Sequence, residues 1–206
     1  MGDLDNLTTN SQEKSFLELF ENKVVYQIPL FQRSYVWTVK KQIEGIQEDF
    51  DEIIDEKKNI HFFGAIIMQR LETDVGKTNR YEIIDGQQRL TTIFLFMMAA
   101  IFHMRNYDHE YAAILFEKFL IDSASDIENS NLHPSSVDRG QLNWIFQNIL
   151  SNSDFKEKLK KKKAQFEEFA LGSNSKADGR IRKNYTRFKN YLKLKIDDYP
   201  DDEKSI

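Results

Sequence analysis

The sharpest change in the pattern of apolar and polar positions falls in the middle of the chain. Residues 80–84 read as a short strand, and residues 90–105 are apolar nearly all round a helix. Between them lies Asp85-Gly86-Gln87-Gln88-Arg89, four polar residues and a glycine without proline. Upstream, residues 11–23 have the pattern of a short helix with Phe16, Leu19 and Phe20 on one side and Ser11 or Ser15 as its cap. Residues 24–28 read as a strand ended by Pro29. Val39, Ile43, Ile46, Phe50 and Ile53 follow at spacings of 4, 3, 4 and 3, an amphipathic helix with Thr38 as N-cap. Residues 61–70 are apolar on both faces in their middle, which predicts a strand central in its sheet, with Gly64 marking a bulge or a close backbone approach. Residues 72–79 are a polar turn, so residues 61–84 form a hairpin.

Downstream the pattern is helical. Helices are predicted over residues 108–121, 137–150, 154–171 and 180–196. Asp154 and Glu157 have the spacing of a capping box, and Ile181, Tyr185, Phe188, Leu192 and Ile196 recur at helical spacing. Residues 122–136 are a Ser/Asn-rich loop and residues 172–179 a linker. The fold class is therefore α+β: a small mixed sheet with helices over residues 1–105, a helical extension over 106–196, and an acidic tail over 197–206 where a longer chain is expected to continue.

Composition narrows the possible chemistry. Sixteen Phe supply a large aromatic core. The absence of cysteine excludes disulfides, thiolate catalysis and Cys-based zinc sites. The longest apolar run, residues 93–102, has ten residues, against about 20 for a membrane span. The acidic start lacks the basic region of a signal peptide, and a cytoplasmic location is expected.

The net charge of −4 is unevenly spread: residues 155–195 carry 14 Lys/Arg against 4 Asp/Glu, an excess of +10 that leaves −14 on the rest. That basic end suggests an anionic partner or a solvated helix face. Glu44, Glu48, Asp49, Asp51, Glu52, Asp55 and Glu56 cluster on one predicted helix without a second ligand set, as a solvated face does. His61, His103, His109 and His133 are scattered and read as structural or surface residues.

The central turn has chemical potential of its own. A helix starting after it points unpartnered N–H groups and its positive dipole end at the turn, an arrangement that favours an anion. Gly86 permits close approach or positive φ, and Arg89 can fork two phosphate oxygens. Gln87 and Gln88 can orient a water or read a base, and Asp85 can hold a metal ion or activate a water. The opposing reading is an ordinary Asp-Gly turn. Upstream, residues 28–37 form an aromatic-rich irregular loop. Phe31, Val36 and Trp37 are expected to plug the core, leaving Gln32, Arg33 and Tyr35 as rigidly presented ligand-binding groups. A Val75-Gly76-Lys77-Thr78 fragment resembles the tail of a P-loop, but the upstream glycine is missing and the segment joins two strands.

Three stretches together resemble a known family: residues 31–37 (Phe-Gln-Arg-Ser-Tyr-Val-Trp), Phe62-Phe63-Gly64, and residues 84–92 (Ile-Asp-Gly-Gln-Gln-Arg-Leu-Thr-Thr). They are similar to the N-terminal domain of GmrSD-type restriction endonucleases, itself similar to the ParB/sulfiredoxin-like superfamily. Arg182-Lys183-Asn184-Tyr185 with Phe188 matches a further family pattern. The resemblance implies nucleoside triphosphate binding and hydrolysis, with a divalent cation such as Mg, in bacterial defence against modified foreign DNA. It implies a nucleotide site made of Gln32, Arg33, Tyr35, Gly86, Gln87, Gln88, Arg89, Thr91 and Thr92, with Asp85 and Gln88 as catalytic residues. Tyr35 would contact nucleotide or a modified DNA feature. DNA contacts are expected from Tyr35, Lys160, Lys161, Lys162, Lys163, Arg182, Lys183 and Arg187. The implied DNA-cutting partner is an HNH-type nuclease domain, on the same full-length chain or on a partner subunit. No His-Asn-His pattern occurs here. A non-enzymatic DNA-binding module, or an interaction scaffold on the C-terminal helices, are the alternatives.

Overall fold

The structure is a computed structural model and describes residues 11–21, 24–58, 61–73, 78–121, 130–159 and 179–198. It is an α+β fold built on a mixed four-stranded sheet of order β2-β3-β1-β4. The strands are β1 (Val24–Gln27), β2 (Ile67–Arg70), β3 (Asn79–Asp85) and β4 (Leu132–His133). The central strand β1 runs parallel to both β3 and β4, while β2 is antiparallel to β3 with an irregularity between Ile67 and Met68.

The helices are α1 (Phe16–Phe20), α2 (Glu44–Ile54), α3 (Gln87–Met104), α4 (His109–Leu115), α5 (Ser136–Leu150), α6 (Ser153–Lys158) and α7 (Arg180–Asp198). A π-helical turn, Val39–Ile43, leads into α2, and a second, Phe116–Leu120, continues α4. The predicted Thr38 start holds, although the Thr38 side chain does not cap the turn. Ser15 caps α1 in a full capping box with Glu18.

The predicted helix that is apolar all round is α3, and it is the centre of the molecule. Leu90, Phe94, Leu95, Met98 and Ala99 are fully buried, and α7 packs along it. Phe96 meets Phe188 of α7 edge-on at 5.4 Å between ring centroids, and Phe94 meets Phe20 at 5.3 Å. One continuous apolar core runs from Phe20 through α3 to Phe188, so the predicted boundary at residue 105 does not separate two cores. Among the described residues no helix is long and apolar enough to cross a membrane.

Several expectations are corrected. The strand over residues 61–70 is neither that long nor central: only Ile67–Arg70 pairs, at the edge of the sheet. The reason is Gly64, whose φ of +97° breaks the extended run, while Phe63 packs on Phe16 at 5.2 Å instead of facing a second strand. The helical extension is not wholly helical, because β4 from its loop pairs with β1. The helix expected to start at Asp154 starts at Ser153, capped by Asn152, whose Oδ1 accepts from Phe155 N–H at 2.9 Å. The acidic face of α2 is only partly solvated: Asp51 accepts from Tyr191 Oη at 2.8 Å and pairs with Lys195 Nζ at 2.6 Å, tying α2 to α7. The P-loop-like fragment, save Thr78, and the basic run Lys160 to Lys163 lie outside the described residues.

Candidate functional site

A single residue connects β3 to α3. Asp85 is the last residue of the strand and Gln87 the first of the helix, so Gly86 alone makes the turn. Its backbone is left-handed (φ +89°), a conformation that costs an L-residue about 1–2 kcal/mol. A Cβ there would also lie 3.0 Å from Ala65 O and from Ile66 Cα. Glycine is thus fixed at this position twice, by conformation and by the close passage of residues 64–66. The helix starts three residues before the predicted Leu90, which places Gln87, Gln88 and Arg89 in its first turn. Leu90 N–H makes the first bond back to Gly86 O, and no side chain caps the end. The N–H groups of Gln87, Gln88 and Arg89 therefore lack intrahelical partners.

The predicted site residues fall into two groups. The first builds the wall. Gln32 Nε2 donates to Ile83 O at 3.1 Å and Ile84 O at 2.9 Å, fastening the upstream loop to the end of β3. Gln88 Oε1 accepts from Val36 N–H at 2.8 Å and its Nε2 donates to Ser34 O at 3.3 Å. With both ends of its amide bound to backbone, Gln88 positions the loop and is not free to orient a water. Tyr35 is 5% exposed, so its ring is not presented to a nucleotide or to DNA. Its backbone N–H donates to Asp138 Oδ2 of α5 at 2.7 Å. Its hydroxyl lies 2.7 Å from Thr92 Oγ1 and accepts from Asn184 Nδ2 of α7 at 2.9 Å. Thr92 Oγ1 already donates to Gln88 O at 2.8 Å, so the Tyr35 hydroxyl is the donor in the pair. Burial pushes that hydroxyl up to about 12, which keeps its proton in place at neutral pH. Thr91 is buried in the core with Thr92.

This wall has no regular secondary structure, yet most of its backbone groups are bonded. Between Ser34 and Trp37, five backbone groups bond to side chains: Ser34 O and Val36 N–H to Gln88, Tyr35 N–H to Asp138, Val36 O to Arg180 at 2.8 Å, and Trp37 O to Asn184 at 3.1 Å. Three helices thus replace the strand partner that an isolated loop would lack. Asp138 is buried, which raises its carboxyl above the ordinary carboxylate value. Hydrogen bonds from Tyr35 N–H and the Ser135 hydroxyl act in the opposite direction.

The second group is open. Arg33 is exposed and has no ion-pair or hydrogen-bond partner among the described residues. Asp85 is exposed, with the Arg89 Nη2 atom 4.0 Å from its Oδ2. Arg89 also donates to Ala65 O and packs across Gly64, where an added Cβ would lie 3.1 Å from its Cδ. The close approach expected at Gly64 is therefore made by Arg89. Gln87 is 8% exposed, and no described residue hydrogen-bonds its side-chain amide. Phe31 is 83% exposed, contrary to the expected core plug, whereas Trp37 does pack on the core. Phe31 faces outward because its neighbour Gln32 turns in to cap β3. Phe62, two residues before Gly64, is exposed as well.

Sequence reasoning gave no role in this site to Asp138, Arg180 or Asn184. Asn184 stood in a quoted family pattern, and a polar residue on the buried side of a helix was its signal. Asp138 had none, because its partner is 103 positions away. The basic excess of the C-terminal part is largely drawn into the fold where it is described. Arg182 stacks over Trp144 at 3.7 Å, Lys189 over Phe102 at 3.7 Å, and Arg187 donates to Gln47 Oε1 at 2.9 Å. Among the described residues no group of three or more His, Cys, Asp or Glu could hold a metal ion by itself.

A left-handed glycine thus joins a strand to an uncapped helix on an α+β scaffold, with the aromatic loop of residues 32–37 fastened beside it. The family model for the GmrSD restriction endonuclease N-terminal domain matches residues 16–206, and the chain belongs to that family. It is also similar to an uncharacterised protein of Methanocaldococcus jannaschii, MJ0686, with 27% identity over 173 residues. That match covers 73% of this chain but only 27% of the relative's length.

Proposed function

We propose that the chain binds a nucleoside triphosphate at the Asp85–Arg89 turn and hydrolyses it, and that this activity regulates a DNA-cutting domain in a restriction system. The observation that carries the reading is the uncapped start of α3 at Gly86, where the N–H groups of Gln87, Gln88 and Arg89 have no intrahelical partner and the preceding Asp85 is exposed. The Gln87 side-chain amide, which no described residue hydrogen-bonds, is a further donor and acceptor for a ligand at this helix start. The open N–H groups and Arg33 suit phosphate oxygens, and the exposed Phe31 and Phe62 rings offer faces on which a base can stack. One carboxylate at the turn fits Mg, which is usually bound by one or two carboxylates together with substrate phosphates. Asp85 would hold it, and the ion would neutralise charge developing on the phosphates. Membership of a restriction endonuclease family supports DNA, modified or not, as the downstream target.

Calorimetry with the four common nucleoside triphosphates in Mg, together with phosphate release, tests this. Arg33→Ala should weaken binding about tenfold, the loss of roughly one charge-assisted hydrogen bond. Asp85→Asn should bind nearly as well as wild type yet release phosphate at least about a hundredfold more slowly. Absence of binding by wild type with all four nucleotides would refute the reading. The second reading, a non-enzymatic DNA-sensing module, rests on the basic excess of residues 155–195. It requires DNA affinity that falls steeply with salt in the absence of nucleotide.

A further inference from the structure

We infer that α7 is a positioning element of the nucleotide site, and that Asn184 sets the place of Arg33 through Tyr35 and Trp37. The inference rests on the nucleotide reading above. Arg33 has no partner among the described residues, so its position is inherited from its neighbours in the loop. On one side Gln32 is fastened to the end of β3. On the other, the loop is fastened to helices. Asn184 is 1% exposed, and its Nδ2 group directs both hydrogens into the loop, at the Tyr35 hydroxyl (2.9 Å) and Trp37 O (3.1 Å). One helical turn earlier, Arg180 donates to Val36 O at 2.8 Å. The far end of α7 is tied to Asp51 of α2 through Tyr191 and Lys195. The helix thus bridges the loop at one end and α2 at the other, lying on α3 between them.

Coupling through this route is reciprocal. A ligand that draws on Arg33 in its held position tightens the loop on α7, and a force that shifts α7 loosens the ligand. Asn184 touches neither Arg33 nor the turn, so its effect passes through the Tyr35 hydroxyl and the Trp37 carbonyl. A residue that merely stabilised the fold would lower the unfolding temperature while leaving the affinity of folded protein unchanged.

The test is a double-variant cycle on the whole chain, using whichever nucleoside triphosphate the wild type binds best. Asn184→Ala should raise hydrogen exchange at the Tyr35 and Val36 amides without raising it in the middle of α3. It should also weaken nucleotide binding about tenfold. In an Arg33→Ala background the same change should cost no further affinity, because Asn184 acts only through the Arg33 loop. Tyr35→Phe removes one hydroxyl and should reproduce the effect in weaker form, which keeps the test open if Asn184→Ala does not fold. Unchanged exchange and affinity in the folded variant, or a loss fully additive with Arg33→Ala, overturns the inference while leaving the nucleotide site intact. Failure of wild type to bind any of the four nucleotides overturns the nucleotide reading and the inference together.

Discussion

Arg33 and Tyr35 stand two residues apart in one loop and face opposite fates. Tyr35 is buried, with its backbone N–H and its hydroxyl bonded to residues of three helices. Arg33 is exposed, with no described partner. The turn repeats the contrast, with Gln88 bound to the loop at both ends of its amide and the Gln87 amide beside it without a partner among the described residues. The motif residues are therefore of two kinds. Some assemble the wall of the site and others stay open, and the two kinds stand side by side in one irregular loop.

The largest effect on this division is expected at Gly86, which both kinds depend on. Gly86→Ala combines a left-handed alanine with a Cβ 3.0 Å from the backbone of residues 65 and 66. Strain and overpacking together should cost about 3 kcal/mol, measured by urea unfolding. A cost under about 0.5 kcal/mol, the size of a neutral surface change, would mean that the turn relaxes freely. Next comes Gln88→Ala, which leaves Val36 N–H without its partner. A loss of about 1–3 kcal/mol is expected, the usual cost of an unsatisfied buried donor. Arg33→Ala should leave stability within about 0.5 kcal/mol of wild type. If the two variants exchanged these outcomes, the wall and the open group would have been assigned the wrong way round.

The smallest effect concerns pH. The folded-state pKa of Asp138 is raised above its ordinary 3.8 by burial, so the folded state binds its proton more tightly than the unfolded chain does. Its contribution to stability is fully present below 3.8 and is lost as pH rises through the raised folded value. Relative to Asp138→Asn, which cannot titrate, wild type should lose stability across the mildly acidic range. Parallel stability–pH curves for the two proteins would show that the loop does not register this charge.

Much of the fold was legible because its signals are local. The fully apolar surface of α3 could only be a buried helix, and Asp-Gly after a strand could only be a turn. Of the two caps expected for the first helix, Ser15 is the one used, although the helix is only Phe16–Phe20 and not residues 11–23. The helix expected from Asp108 begins at His109 with Asp108 as its cap. The edge position of β2 was not legible. Residues 61–66 carry the apolar content of a central strand but use it against α1 and the start of α3, and only a long-range contact reveals that. Phe31 misled for the same reason. Its apolar character predicts burial, while the direction it faces is set by Gln32 reaching the carbonyls of residues 83 and 84, more than 50 positions on.

By itself, the sequence determined that a strand, a glycine turn and a buried helix meet at Asp85–Arg89, since each depends on residues within a turn or two of itself. Tertiary structure alone decided which residues of that site remain open. The burial of Tyr35 requires Asp138, 103 positions away, and Asn184, 149 positions away. In an irregular loop no periodic pattern fixes which side faces in. The choice falls to whichever distant groups arrive to satisfy its backbone, and here α3, α5 and α7 took Tyr35 and left Arg33 to the solvent.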